Sequence, residues 1–187
     1  MYIDNETSAI NCNNRINLIN TFRKLWEEHA MWTRSFIISA VDNLGDLQFV
    51  TKRLMRNPTD FAAVLKKYYG TQNAMKFDNL LSDHLSIAGK IVNAAKAGDT
   101  ETVNELRTKW YANADAIADF LSSINPYWSK NEWKMMLYDH LKLVENEATG
   151  RINKDYQKDI AQYDTMEDQV LLMADAMANG IAKQFRI

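Results

Sequence analysis

Apolar residues recur along this chain at intervals of three, four and seven, which is the spacing of one face of an α-helix. The pattern is clearest around the three histidines, His29, His84 and His140. Around each of them, apolar residues stand seven, four and three positions before and three after: Phe22, Leu25, Trp26 and Trp32; Phe77, Leu80, Leu81 and Ile87; Trp133, Met136, Leu137 and Leu143. Each histidine is therefore predicted to face the interior from an amphipathic helix.

The same pattern occurs three times along the chain. The histidines are 55 and 56 residues apart, and each directly follows an acidic residue: Glu28, Asp83 and Asp139. A second apolar stripe follows each histidine and contains one amide, again with a period of 56: Asn57, Asn113 and Gln169. We predict a threefold internal repeat, with units at about 15–70, 71–126 and 127–187.

The helical periodicity predicts an all-α fold, and the low content of turn-forming residues, 6 Gly and 2 Pro, agrees with it. We expect an up-and-down bundle of about six helices arranged as three hairpins. Helix 1 is expected from about Asn14 to Leu44, with Asp46 capping the next helix. Pro58 is expected to kink or break that helix after Asn57. Further helix ends are predicted at Gly70, Gly98 and Asn125-Pro126. Further helix starts are predicted at Asp99 and at Ser129, where Ser129 and Glu132 form a capping box.

A hairpin that places its histidine and its amide at one height must turn near their midpoint. These midpoints fall at residues 43, 98.5 and 154.5, close to Gly45 and Gly98 in the first two repeats. In the third repeat Thr149-Gly150 and Asn153 are both possible turns, and the midpoint favours Asn153. Three histidines and three amides are then predicted to form one polar layer inside the bundle.

Two interpretations of this layer stay open. In the first, each histidine bonds the amide across its own hairpin and the layer only fixes the register of the helices in a structural or partner-binding module. In the second, the three imidazoles bind a small ligand or a divalent transition metal, Fe, Mn or Zn, because helix bundles build metal sites from inward-facing side chains.

Four carboxylates are candidates to support the layer: Glu28, Asp83, Asp139 and Glu147. Adjacent residues of a helix point about 100° apart, so the first three are expected to be outer groups or surface groups. Glu147 lies on the inward stripe two turns after His140, which is about 10 Å away. The Glu-x-x-His pattern of di-iron bundles is absent at all three histidines.

Composition narrows the class of function. The net charge of −2 is spread along the chain and indicates neither nucleic-acid nor anionic-membrane binding, while a homo-oligomer or protein partner stays open. Cys12 is the only cysteine, which favours a reducing cytoplasmic location. Residues 1–14 are expected to be a flexible leader, and residues 15–187 one domain. There is no phosphate loop, nucleophile elbow or Cys near a His, so no catalytic residue is assigned, although acid-base chemistry at a histidine stays open.

Three stretches carry a resemblance to known proteins: Leu25–Arg34 (LWEEHAMWTR), Arg56–Phe61 (RNPTDF) and Asn125–Trp128 (NPYW). From about residue 20 onward the chain resembles a family of small uncharacterised helical proteins of spore-forming bacteria. Some relatives carry the label acetylglutamate kinase, an α/β enzyme with glycine-rich loops that nothing here matches, so that activity is rejected. The predicted arrangement is also similar to haemerythrin-like and ferritin-like bundles, a likeness of fold that does not transfer function.

Overall fold

A computed structural model describes residues 3–187, with side-chain surroundings from residue 12 onward. The elements are α1 (Ile3–Val41), α2 (Leu47–Leu54), α3 (Asn57–Lys96), α4 (Thr100–Ile124), α5 (Lys130–Ile152) and α6 (Tyr156–Phe185). No residue in this described range lies in a β-strand. The predicted all-α helical bundle is confirmed.

The helices form three successive hairpins. α3 is interrupted at Gly70, whose backbone angles (φ 77°, ψ 173°) are not helical. The first hairpin therefore consists of α1, α2 and residues 57–69, and the second of residues 71–96 and α4. The third consists of α5 and α6. α1 packs against α6, which closes the row of hairpins into a bundle.

The three hairpin turns share one backbone conformation and one pattern of hydrogen bonding. Asn43, Gly98 and Lys154 have positive φ values of 55°, 75° and 59°. In each turn the next N–H donates to a carbonyl five residues earlier: Leu44 to Ser39, Asp99 to Ala94 and Asp155 to Gly150. These bonds satisfy carbonyls that a helix end leaves without a partner. The turns are 55 and 56 residues apart, like the histidines, and lie at the predicted midpoints.

Several helix boundaries differ from the prediction. α1 begins at Ile3 and not near Asn14. Its asparagine-rich start has low helix propensity, but no Gly or Pro interrupts it, and propensity is a weak determinant. Residues 1–2 of the predicted leader lie outside the described residues, and its flexibility stays a prediction.

The predicted capping role of Asp46 and the predicted position of the helix break at Pro58 were both wrong. The Asp46 side chain makes no capping bond and instead accepts from Ser39 Oγ at 2.8 Å. The helix breaks before Asn57 and not after it, because Pro58 lies in the first turn of α3, where its missing N–H costs nothing. The side chains of Asp99 and Ser129 do cap α4 and α5.

The core is formed by the predicted apolar stripes. The residues seven and three positions before each histidine are all buried: Phe22, Trp26, Phe77, Leu81, Trp133 and Leu137. Trp128 fills the end of the core beside Gly180, where any Cβ would collide with the indole ring. Among the described residues, none of the helices combines the length and apolar character that crossing a bilayer requires.

Candidate functional site

His29, His84 and His140 come from three different hairpins and meet in the core. Each is only 2% exposed, and all three line the same internal cavity. The rings of His29 and His140 have centroids 5.5 Å apart. The His84 ring packs against Trp110, with centroids 5.2 Å apart. The predicted convergence of the three histidines is therefore present in the structure.

Each histidine bonds the amide of its own hairpin. The distance from Nδ1 to the amide oxygen is 3.0 Å for His29 and Asn57, 2.8 Å for His84 and Asn113, and 3.1 Å for His140 and Gln169. The amide nitrogen in turn donates to the carbonyl four residues before the histidine: Leu25, Leu80 and Met136. The same three-member chain of bonds is thus built in every hairpin.

This chain determines the tautomer of each imidazole. A backbone carbonyl only accepts hydrogen bonds, so the amide nitrogen must face it and the amide oxygen must face the ring. The oxygen only accepts, so Nδ1 carries the proton. In the neutral ring Nε2 is then unprotonated and has a free electron pair.

Burial keeps the three rings neutral near pH 7. Desolvation lowers the pKa of His29 to about 4, opposed by the bond to Asn57. It lowers the pKa of His84 to about 3 and that of His140 well below its ordinary value, with the charge of His29 acting in the same direction on both. All three Nε2 atoms are therefore available as electron-pair donors at neutral pH.

The shared cavity is small and apolar. The centre of a water molecule can occupy about 10 Å³ of it, which is room for about one water-sized species. Its other walls are aromatic and aliphatic: Trp26, Phe77, Leu81, Ile117, Leu121, Trp133, Leu137 and Met177. Trp26 in the cavity wall and Trp110 behind His84 each have a buried Nε1 atom with no hydrogen-bond partner within the described chain. A multi-atom substrate does not fit this space.

The four candidate carboxylates are not part of this layer. Asp83 and Asp139 are exposed, and Glu28 is half-buried and pairs with Arg53 at 2.9 Å. Glu147 is buried but bonds Arg34. Over the described residues, no group of three or more His, Cys, Asp or Glu side chains is already arranged to hold a metal ion. The structure thus joins the histidines and amides and leaves the acids elsewhere.

A second buried polar cluster was not predicted from the sequence. Arg34 bonds Glu147 and Asp159, and the two carboxylate side chains are 2% and 1% exposed. One signal for it was present. Glu147 occupies the position at which the other repeats carry Phe36 and Ile91, and an inward carboxylate needs a cation nearby.

No protein-family model matches this chain, and no curated protein or solved structure is significantly similar to it. The resemblance to the helical family of spore-forming bacteria stays a prediction. Functional inference therefore depends on the residues of the layer and their surroundings.

Proposed function

We propose that this protein binds one divalent transition-metal ion between the Nε2 atoms of His29, His84 and His140. The supporting observation is that three neutral imidazoles have the same bonded Nδ1 and line one cavity. Neutral imidazole is a common metal ligand, and three histidines are an established ligand set for zinc. Metal-bound histidines usually donate their other N–H to a fixed acceptor, which is the role the amides have here.

The bonds of the rings support the same conclusion. Within the described chain the hydrogen bonds of the three rings are those made by Nδ1. An ion that accepts electron pairs could therefore bind the Nε2 atoms without breaking the bonds to the amides.

The size of the cavity restricts the ligand class. Sites for organic molecules are typically about 300 Å³ or larger, while this cavity has room for about one water-sized species. A single ion satisfies this limit. Binding would require the rings to draw closer together, since within the described residues no group of side chains is already arranged to hold an ion.

The proposal is tested by measuring bound metal. Purified protein is incubated at pH 7 with Zn²⁺, Co²⁺, Mn²⁺ or Fe²⁺ in turn, freed of unbound ions, and analysed for metal per chain. We expect one equivalent of at least one of these ions, and loss of that equivalent in His84→Leu. Asp83→Asn, which changes the exposed neighbouring residue, is the matched control and should keep the metal.

A second function has its own support. Each histidine is bonded within its own hairpin, and no ready-made metal-holding group lies among the described residues. The layer would then act only as a register-fixing element of a structural or partner-binding bundle. In that case none of the four ions binds stoichiometrically, and His84→Leu changes stability alone, which contradicts the metal proposal.

A further inference from the structure

The second buried cluster joins three helices through one guanidinium group. Arg34 of α1 donates from Nη1 to Glu147 Oε1 of α5 at 2.8 Å and to Asp159 Oδ1 of α6 at 2.7 Å. Both carboxylates are almost completely buried, whereas the Arg34 side chain is 17% exposed. Two buried acids therefore share one cation.

The cluster extends toward the hairpin turns. Arg151 Nη1 of α5 lies 3.7 Å from Asp159 Oδ2, and Arg151 Nη2 pairs with Asp42 just after α1. Negative and positive groups alternate along this chain of contacts, with three carboxylates and two guanidinium groups. When all are ionised, the cluster carries one uncompensated negative charge.

These contacts lie on the seam between the first and third hairpins, which we define as the packing of α1 against α5 and α6. The same seam brings His29 and His140 together, with ring centroids 5.5 Å apart. Glu147 follows His140 by two helical turns on α5. The cluster is thus placed to control how firmly this seam is closed.

We propose that Arg34, Glu147 and Asp159 form a proton-operated latch on this seam, closed while Glu147 is protonated and loosened when Glu147 ionises. A proton on Glu147 leaves Arg34 paired with Asp159 alone and removes the uncompensated charge. Loss of that proton places a second buried carboxylate on the same guanidinium. The latch does not depend on a ligand at the histidine layer.

The surroundings of Glu147 support this assignment. It faces Arg34 from α1 and Asp159 and Tyr163 from α6, and Arg151 follows it on its own helix. Burial raises the pKa of Glu147 to about 7, and Arg34 opposes this effect only in part; no charged group of α3 or α4 contributes. On the side facing α4, the nearby Glu145 pairs instead with Arg107 at 2.6 Å.

The sign of the effect follows from linkage. A carboxylate with a pKa of about 7 in the closed seam and an ordinary value when the seam is open binds its proton more tightly in the closed state. Opening is therefore favoured as pH rises. An opening confined to the Glu147 end of the seam, with the histidine layer two helical turns away still buried, should therefore become roughly tenfold more favourable between pH 6 and pH 8.

Hydrogen exchange of the whole protein tests the latch. Protection factors, corrected for the intrinsic pH dependence of exchange, are measured between pH 6 and pH 8 for peptides covering residues 30–41 and 144–166. We expect protection to fall about tenfold over this range in the native sequence. In Glu147→Gln, which keeps the acceptor oxygen for Arg34 but cannot ionise, protection should no longer fall as pH rises.

Glu145→Gln is the matched control, because it removes a carboxylate of the same helix that pairs on the opposite side. It should retain the pH dependence of the native protein. The latch is excluded if native protection is constant between pH 6 and pH 8, or if Glu147→Gln shows the same pH dependence as the native protein. Circular dichroism establishes that each variant is folded.

Discussion

A side-chain amide is the residue type that the histidine layer requires. It accepts on one atom and donates on another, so it can connect an imidazole N–H to a backbone carbonyl. A carboxylate has no donor for the carbonyl, and a lysine has no acceptor for the ring. Gln169 does in the third hairpin what Asn57 and Asn113 do in the others, with a donor–acceptor distance of 3.1 Å.

The three amides differ in burial, and their substitutions should differ accordingly. Asn57 is fully buried, whereas Asn113 and Gln169 are half-buried. Asn57→Leu leaves the His29 N–H without a partner in a dry site and should lower the free energy of unfolding by roughly 2–3 kcal/mol. Gln169→Leu should cost about 1 kcal/mol, because water can reach the broken bond.

Urea unfolding at pH 7 measures both variants. Asn113→Leu provides the internal comparison and should resemble Gln169→Leu, since the two amides have similar exposure. A loss for Gln169→Leu that equals or exceeds the loss for Asn57→Leu would show that burial does not set the cost.

At the scale of the elements, the hairpins are defined by their turns. All three turns need one residue in the left-handed region, and the chain uses Asn43, Gly98 and Lys154 there. Glycine adopts this conformation without strain and asparagine tolerates it, whereas a lysine pays roughly 1 kcal/mol. Asn43 also accepts a bond from Lys96 through its side chain, which links the first turn to the second.

Relieving the strain at Lys154 in the turn of the third hairpin should therefore stabilise the protein. Lys154→Gly should raise the free energy of unfolding by about 0.5–1 kcal/mol, because it relieves the strain at positive φ. Thermal unfolding followed by circular dichroism measures this as a higher melting temperature.

The matched comparison is Asn43→Gly, which should be close to neutral because it loses the bond from Lys96. Gly98→Ala should be destabilising, since it introduces the strain that Lys154→Gly removes. An unchanged or lower melting temperature for Lys154→Gly would contradict this account of the turns.

At the scale of the whole molecule, burying three neutral imidazoles makes stability depend on pH. Their folded pKa values are about 4 for His29, about 3 for His84 and far below normal for His140, against an ordinary value of 6.5. Below about pH 6.5 the unfolded chain binds protons that the folded chain does not. Stability contributed by these groups is therefore complete above pH 6.5 and is lost as pH falls toward 4.

Glu147 acts in the opposite direction, because its folded pKa of about 7 exceeds the ordinary value of 4.5. One proton bound by the folded state partly offsets three bound by the unfolded state, so the histidines dominate. Near pH 5.5 we expect the free energy of unfolding to fall by roughly 2–3 kcal/mol per pH unit, with a plateau above about pH 7.

Urea denaturation at intervals between pH 5 and pH 8 measures this slope. His84→Leu should reduce the slope by about one proton, or roughly 1.4 kcal/mol per pH unit. Stability that is constant between pH 5 and pH 6.5 would mean that the histidines are accessible to protons in the folded state.

Periodicity and spacing were sufficient to predict the fold class, the three hairpins and the inward direction of the histidines, and they gave the pairing of each histidine with its own amide as one of two interpretations. These features depend on periodicity within one helix or on two helices joined by a short turn. Even the turn positions followed, since equal heights in a hairpin require a turn at the midpoint. Errors occurred at Ile3 and Pro58, where a local propensity or breaker competes with the rest of the helix.

The way the hairpins meet became known from the packing of the folded chain. Glu147 lies 113 residues after Arg34 in the sequence, and Asp159 lies 125 residues after it. The three side chains meet because α1 packs against both α5 and α6. No periodicity records such a contact, which depends on closing the bundle. The size of the central cavity is likewise a property of packed volumes, so the sequence could place the three imidazoles inside the protein but not determine the space left between them.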